Sequence, residues 1–139
     1  MARTAPPLDV RQVVSLEEIL RARQAVDRVS LDPKLREYIV ALVQATRDPA
    51  KAGLKELIGR VHYGASPRAT INLIEGARAL AFLRGREYVL PEDVTDVVPD
   101  VLRHRVVLSY EAMAEGLSIC DMQQQYEVAK RFSFMEGLN

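Results

Sequence analysis

The segment Gly64-Ala65-Ser66-Pro67-Arg68 has the residue types that begin a helix and bind an anion. Gly64 permits a tight turn, Ser66 is a favoured N-cap residue, and Pro67 supplies the φ angle of a first helical position. Arg68 then falls in the first turn, beside unpaired amides and the positive end of the helix dipole. A cation is unfavourable there until an anion binds to the amides and the guanidinium together. The segment therefore predicts a phosphate site, with a solvated or ion-paired arginine as the alternative.

Two other groups of basic residues are candidates for phosphate contact. Arg84 and Arg86 flank a glycine, and Arg103 and Arg105 flank His104. The whole chain has 19 Lys and Arg against 19 Asp and Glu, so no bulk positive field is available to hold a nucleic acid or an anionic membrane. These groups are therefore interpreted as either ion-paired surface or a local nucleic-acid contact.

The signatures of most enzymes are missing from the sequence. It has no glycine-rich loop followed by Lys-Ser or Lys-Thr, no nucleophile elbow and no Cys/His cluster, and His62 and His104 lie far apart. We therefore expect no catalytic residue and no metal site in this chain alone. The single Cys120 cannot form an intramolecular disulfide, and no secretory leader opens the chain, which favours the cytoplasm. The apolar runs are too short to cross a bilayer, so no membrane partner is expected.

The elements that position these residues are predicted to be helices around one core. The chain has 139 residues, 48% of them apolar, and no Trp, which suits a single domain of packed aliphatic helices. Ser15 and Glu18 form a capping box before a first helix that ends near Val29. Asp32 and Pro33 begin a second helix. Its predicted buried face consists of Leu35, Tyr38, Ile39, Leu42, Val43 and Thr46.

The second half of the chain contains further helix signals and two ambiguous stretches. The helix that starts at Ser66 and Pro67 ends at Arg84-Gly85, and Pro91 begins another helix that Pro99 is expected to break. Residues 50–63 are predicted to be a loop with one short helical turn, and residues 106–108 are compatible with helix or strand. Ser118 and Asp121 suggest a cap for a last helix that contains Met122, Tyr126, Ala129 and Phe132.

These signals together predict an all-α fold, a small bundle of about five to six helices with short extended connections. Residues 1–14 are predicted to be an N-terminal arm, residues 15–135 the helical domain, and residues 136–139 a tail. The apolar helix stripes are interpreted as core, with docking of a neighbouring domain as the alternative for one of them.

The order and spacing of several sequence blocks resemble the lid domain of the MoxR family of AAA+ ATPases. The resemblance runs from Val14 to about Asp121, and it departs from the family pattern at Leu90, where a small polar cap residue is usual. The blocks are Gly64-Ala65-Ser66-Pro67-Arg68-Ala69, Ala77-Arg78-Ala79-Leu80-Ala81, Arg84-Gly85-Arg86, Tyr88-Val89-Leu90-Pro91-Glu92-Asp93-Val94, Val101-Leu102-Arg103-His104-Arg105-Val106-Val107-Leu108 and Glu115-Gly116.

The resemblance implies a role for one residue and a division of labour between two domains. In the family, a separate AAA+ core binds ATP and Mg2+, and the second-sensor arginine of the lid approaches the γ-phosphate. That arginine maps onto Arg68, with Gly64, Ser66 and Pro67 shaping the helix start. The resemblance also implies a ring, commonly a hexamer, chaperone-like remodelling of protein complexes, and partners with von Willebrand A-type domains. This chain alone is expected to bind no cofactor and to hydrolyse nothing.

Three hypotheses for function follow. The leading one is a sensor-2 lid that closes over ATP held by the AAA+ core. The second is a helical nucleic-acid-binding domain that uses Arg84, Arg86, Arg103 and Arg105. The third is a helical adaptor whose apolar stripe binds another protein without any nucleotide.

Overall fold

A computed structural model of the chain describes residues 11–118 and residue 121. These residues form a helical bundle with a small two-stranded antiparallel sheet, which confirms the predicted all-α class. The helices are α1 (Leu16–Asp27), α2 (Pro33–Arg47), α3 (Arg68–Leu83), α4 (Pro91–Leu102) and α5 (Tyr110–Ala114). The strands are β1 (Val61–Tyr63) and β2 (Val107–Leu108), and a 3-10 turn covers Lys55–Leu57.

Helix α2 contributes its predicted apolar face to the core. The Asp32 carboxylate accepts the Lys34 amide at 2.7 Å, and Pro33 is the first helical residue. All six positions of the predicted stripe are buried, and Ile39 and Leu42 are fully inaccessible to solvent. Helix α3 packs against α2 through its own narrow face. The buried residues of that face are Ala69, Leu73, Ala77 and Ala81.

Helix α1 forms as predicted but buries none of its residues. The Ser15 amide donates to the Glu18 carboxylate at 2.7 Å, and the Glu18 amide donates to the Ser15 hydroxyl at 3.2 Å, which completes the capping box. The side chain of Leu16 is nevertheless 71% exposed, and those of Ile19 and Leu20 are 49% and 47% exposed. Among the described residues, the prediction that this stripe is core is therefore wrong for Leu16, Ile19 and Leu20, whereas Val29, just after the helix, is buried as predicted. Periodicity shows that a face is apolar, but it does not show what covers that face.

The sheet arises where the sequence predicts a loop and an undecided segment. Val61 is paired with Leu108 and Tyr63 with Val107, so residues 106–108 are resolved in favour of a strand at positions 107–108. The predicted short turn is the 3-10 turn, whose Leu57 is buried. Strands this short are not stable alone, because a two-stranded ribbon needs a packed face. The pairing therefore depends on tertiary contacts that local sequence patterns do not contain.

Pro99 lies inside α4 and does not end it. The helix continues to Leu102, which is fully buried, and the Pro99 carbonyl accepts the Arg103 amide at 3.1 Å. An interior proline costs about 3 kcal/mol because it removes one helical hydrogen bond and crowds the preceding turn. Burial of Val98 and Leu102 offsets this cost, so the predicted break at Pro99 is wrong.

A buried carboxylate joins the end of α3 to the start of α4. Asp93 has no solvent-accessible surface, and its oxygens accept from Arg86 at 2.6 Å and 2.5 Å and from Arg84 at 2.8 Å. The Leu90 amide donates to the same carboxylate at 2.8 Å, which is the Asp93 half of a capping box, and the Leu90 side chain has no acceptor for the other half. The second guanidinium nitrogen of Arg84 donates to Asp96 at 2.6 Å. The Arg84 and Arg86 pair is therefore part of a structural network.

The charge on Asp93 is maintained by its hydrogen-bond donors. Burial acts to raise the pKa of Asp93, but the hydrogen bonds from Arg86, from the Leu90 amide and from Arg84 outweigh it and hold that pKa below its usual value. The carboxylate is therefore ionised at neutral pH, and the network is an ion-pair cluster.

The last predicted cap also forms. The Asp121 carboxylate accepts the Ser118 amide at 3.0 Å, and the Asp121 amide donates to the Ser118 hydroxyl at 3.2 Å. The helix predicted to follow, from Met122 to Phe132, lies outside the described residues.

Replacement of Asp93 by Ala is expected to lower the free energy of unfolding by about 3 kcal/mol, because it leaves two guanidiniums without their buried partner. Urea denaturation at pH 7 measures this loss. The control is Asp100→Ala, which removes an exposed pair with Arg103 at 3.3 Å and is expected to cost under about 1 kcal/mol. Equal losses in the two variants would contradict a special role for Asp93.

The same carboxylate predicts a pH dependence of stability. The pKa of Asp93 in the folded chain lies below its unfolded value of about 3.9. At pH values between these two, the unfolded chain therefore binds more protons than the folded chain. The stabilisation is therefore fully present above about pH 4 and is lost as the pH falls through the folded pKa. Thermal unfolding measured between pH 3 and pH 7 tests this. The stability of Asp93→Asn is expected to fall less at acid pH than the stability of the wild type.

Candidate functional site

The segment from Gly64 to Arg68 connects β1 to α3 and is attached to the end of α2. The Ala65 amide donates to the Thr46 hydroxyl at 2.9 Å, and that hydroxyl donates to the Val43 carbonyl at 2.7 Å. Thr46 and Ala65 are both fully buried. The hydrogen bond therefore fixes the segment against α2 without access of water, where an unpaired amide would cost about 1–3 kcal/mol.

The backbone at Gly64 lies so close to the backbone of Thr46 and Arg47 that no side chain fits between them. A Cβ atom at this position would lie 2.3 Å from the Thr46 carbonyl oxygen and 2.6 Å from the Arg47 Cα. Both contacts are with backbone, which cannot rotate away as a side chain can. Glycine is thus needed here for close approach, and the predicted turn brings the end of α2 against the start of α3.

Arg68 is the first residue of α3, and its side chain is exposed. It forms no ion pair with any residue that the structure describes. The ion-paired arginine of the alternative interpretation is therefore not observed among these residues. An exposed side chain fits both a solvated arginine and a phosphate site. The guanidinium is available at the surface beside a rigidly attached loop.

The start of α3 differs from the predicted cap in two respects. Pro67 has helical angles, with φ −55° and ψ −23°, but the helix begins one residue later, at Arg68, and no side chain caps it. The predicted side-chain cap by Ser66 is therefore wrong. The Ala69 amide donates to the Ser66 carbonyl at 2.9 Å, and the Thr70 amide donates to the Pro67 carbonyl at 3.0 Å. Because these amides already have acceptors, an anion here would depend mainly on the guanidinium of Arg68.

The other basic candidates do not converge on this site. Arg84 and Arg86 bind Asp93, and Arg103 forms an exposed pair with Asp100. Three of the four arginines of the nucleic-acid hypothesis are therefore engaged in ion pairs, and no structural observation favours that hypothesis. Among the described residues, no group of three or more His, Cys, Asp or Glu side chains is arranged to hold a metal ion. No helix in the same residues is long and apolar enough to cross a membrane.

The sequence patterns do not single out two residues that matter to this architecture. Thr46 is one member of the predicted α2 face, and Asp93 is one residue of a block that resembles the MoxR lid. Thr46 is the polar member of an otherwise mostly aliphatic face, and a buried polar group needs a partner. That is the signal that could have identified it, although the partner itself is 19 residues away along the chain.

Comparison with known proteins gives consistent results. The AAA lid domain family matches residues 59–127. Chaperone MoxR1 of Mycobacterium tuberculosis is 43% identical over 112 residues, which is 81% of this chain and 30% of that protein. Protein MoxR of Paracoccus denitrificans is 44% identical over 91 residues, 61% of this chain and 27% of that protein. A crystal structure of a candidate ATPase from Cytophaga hutchinsonii superimposes with a TM-score of 0.80 and 43% identity, and the match covers 84% of this chain and 35% of that one.

The chain contains an AAA lid domain of the MoxR type. The family match begins at Gly59 and includes the segment from Gly64 to Arg68. The chain spans about a third or less of the length of these two relatives. The lid domain is thus similar to one part of longer proteins, and the site described above lies within the matched part.

Replacement of Thr46 by Val is expected to lower the free energy of unfolding of the lid domain by about 1–3 kcal/mol, because the buried Ala65 amide loses its acceptor. Chemical denaturation measures the loss. Thr46→Ser retains the hydroxyl and serves as the control, with a smaller loss from the missing methyl group. If Ser and Val cost the same, packing rather than the hydrogen bond would hold the segment.

Proposed function

We propose that this lid domain closes over ATP bound by a AAA+ core and that Arg68 is the sensor-2 arginine, which contacts the γ-phosphate. One observation carries the proposal: an exposed guanidinium without an ion pair among the described residues begins α3, on a loop fastened to α2. A guanidinium is a forked donor suited to phosphate oxygens. Agreement between this geometry and the position of Arg68 in the family motif supports the assignment.

In the proposed mechanism, the angle between the lid and the AAA+ core depends on whether ATP or ADP is bound. A contact available in ATP and missing in ADP shifts the equilibrium between open and closed lid by the free energy of that contact. A charge-assisted hydrogen bond is worth about 1.5–3 kcal/mol, which is a shift of roughly tenfold to a hundredfold. The lid can transmit this shift as a rigid body, because helices α2 to α5 share one core.

The complete ATPase supplies the remaining chemistry. We assign the phosphate loop and the magnesium ligands to the core, which positions the attacking water, so that this chain by itself is not an enzyme. We further propose that residues 15–135 form the lid, that the ATPase assembles as a cytoplasmic ring, commonly a hexamer, and that it remodels protein complexes, with von Willebrand A-type proteins as possible partners. These statements extend the resemblance and rest on the lid assignment.

The exposed face of α1 is proposed as the surface that the AAA+ core covers. Leu16, Ile19 and Leu20 lie in successive turns of the helix, and all three are about half exposed or more. An open groove of about 530 Å³ runs between α1 and α3, and its apolar lining includes Val26 and Phe82. A patch of this kind on a soluble domain marks a contact with another body. This chain covers 30% of Chaperone MoxR1, so most of that relative lies outside the region similar to this chain.

Replacement of Arg68 by Ala in the longer ATPase that carries this lid is expected to reduce ATP hydrolysis at least about tenfold, because the closed state loses a contact with the γ-phosphate. Steady-state hydrolysis and the distance between lid and core, measured by fluorescence energy transfer, report the two effects. ATP is expected to close the wild-type lid, and ATP and ADP should give the same distance in the variant.

The matched control is Arg36→Ala, which removes another exposed arginine that lacks an ion pair among the described residues. Its hydrolysis and closure should equal those of the wild type. Unchanged hydrolysis and unchanged ATP-dependent closure in Arg68→Ala would refute the sensor-2 assignment, and a loss of equal size in both variants would point to a general effect of net charge.

Replacement of both Leu16 and Leu20 by Ser is expected to leave the melting temperature of the isolated chain nearly unchanged, because both side chains are exposed. In the longer ATPase, the same change should weaken the coupling between lid and core and lower ATP hydrolysis. Ile58→Ser, at a side chain 54% exposed outside α1, is the control. An equal effect of Ile58→Ser on hydrolysis would rule out a specific contact through α1.

A further inference from the structure

We infer that Arg78 of α3 binds a carboxylate that the AAA+ core presents when it covers α1. This inference rests on the contact between α1 and the core that is proposed above. It adds a charged group to a contact described so far only by its apolar residues. It also states the chemistry of the partner surface, which is one acidic side chain among apolar ones.

The feature that points to this contact is a buried hydrogen-bond donor of Arg78. Its Nε atom is shielded from solvent and has no hydrogen-bond partner. The side chain as a whole is half-buried, and it forms no ion pair with any residue that the structure describes. Buried donors in folded proteins are nearly always paired, because an unpaired donor has lost its water without replacement. The unpaired Nε–H therefore indicates an acceptor outside the described residues.

Arg78 lines the open groove of about 530 Å³ between α1 and α3. Ile19 and Phe82 line the same groove, together with Leu83, whose side chain is 78% exposed. The unpaired donor and the exposed apolar side chains thus share one groove, and a single body that fills it removes both from water. Arg105 also has a buried Nε without a partner, but it lies outside this groove.

The acidic side chains that line the groove do not supply the acceptor. The Glu18 carboxylate accepts the Ser15 amide at 2.7 Å as part of the capping box. Asp27 and Glu75 are exposed, and neither forms an ion pair with Arg78. Water screens exposed carboxylates of this kind while the groove is open. The acceptor is therefore assigned to another body.

A carboxylate is the acceptor that suits a guanidinium once water is excluded. Covering the groove removes the charge of Arg78 from water, and a buried charge is tolerated only beside an opposite charge that is also hydrogen-bonded to it. The guanidinium is a planar fork of donors, so Nε–H and a terminal N–H can donate to the two oxygens of one carboxylate. An apolar surface that carries one acidic side chain is therefore complementary to this groove.

The test compares Arg78→Met in the isolated 139-residue chain and in the longer ATPase that carries this lid. Methionine retains an apolar stem and removes the donor. Because the donor has no acceptor in the isolated chain, the melting temperature of that variant is expected to equal or exceed that of the wild type. In the longer ATPase, the same change is expected to lower ATP hydrolysis about tenfold, because the carboxylate of the core loses its partner.

The matched control is Arg23→Met, because Arg23 lines the same groove but is exposed. Its hydrolysis should stay within about twofold of the wild type. A lower melting temperature of the isolated Arg78→Met variant would show that the acceptor lies within the 139 residues, and an equal loss of hydrolysis in Arg23→Met would show an effect of net charge. A similar loss in Asp27→Asn or Glu75→Gln would identify an acid of this chain as the partner. Each of these three results would overturn the inference.

The outcomes also separate this inference from the contact on which it rests. If the joint replacement of Leu16 and Leu20 by Ser lowers hydrolysis and Arg78→Met does not, the inference is wrong and the contact through α1 stands. If neither variant lowers hydrolysis, both are wrong. The sensor-2 assignment is tested independently by Arg68→Ala.

Discussion

The buried carboxylate of Asp93 is the constraint on which the geometry of this domain depends. It accepts hydrogen bonds from Arg84 and Arg86 at the end of α3 and from the Leu90 amide at the start of α4. A buried charge is tolerated only when its partners are in place, so the angle between the two helices is specified along with their contact. The other end of α3 is held by Thr46, and the helix is thus fixed at both of its ends.

This arrangement distinguishes two arginines with structural roles from the exposed arginine that begins α3. Arg84 and Arg86 are bound to a carboxylate that has no exposed surface, and they hold the fold together. Arg68 is exposed at the opposite end of α3, next to the loop that the Thr46 hydroxyl binds. The sensor role that we propose for Arg68 needs a rigid support, because a ligand contact then moves the whole domain and does not merely reorder a side chain.

Among the described residues, most of the predicted stripes are buried, but the α1 face with Leu16, Ile19 and Leu20 is exposed. The helix has a well-formed capping box and an apolar face, and none of its residues is buried. Our proposal assigns this exposed face to contact with a AAA+ core. The two MoxR relatives are consistent with that proposal, because this chain covers only 30% and 27% of their lengths.

Local sequence determined the helix starts and the composition of the central core. The caps at Ser15 and Asp32 formed as predicted, because capping depends on residues within one turn, and the α2 stripe was buried position by position. Three features were decided by tertiary structure: the pairing of β1 with β2, the continuation of α4 through Pro99, and the hydrogen bond between Thr46 and Ala65. Each depends on groups far apart in the chain or on burial that outweighs a local preference. The sequence placed Arg68 at the start of a helix, and only the tertiary structure fastened that start to α2.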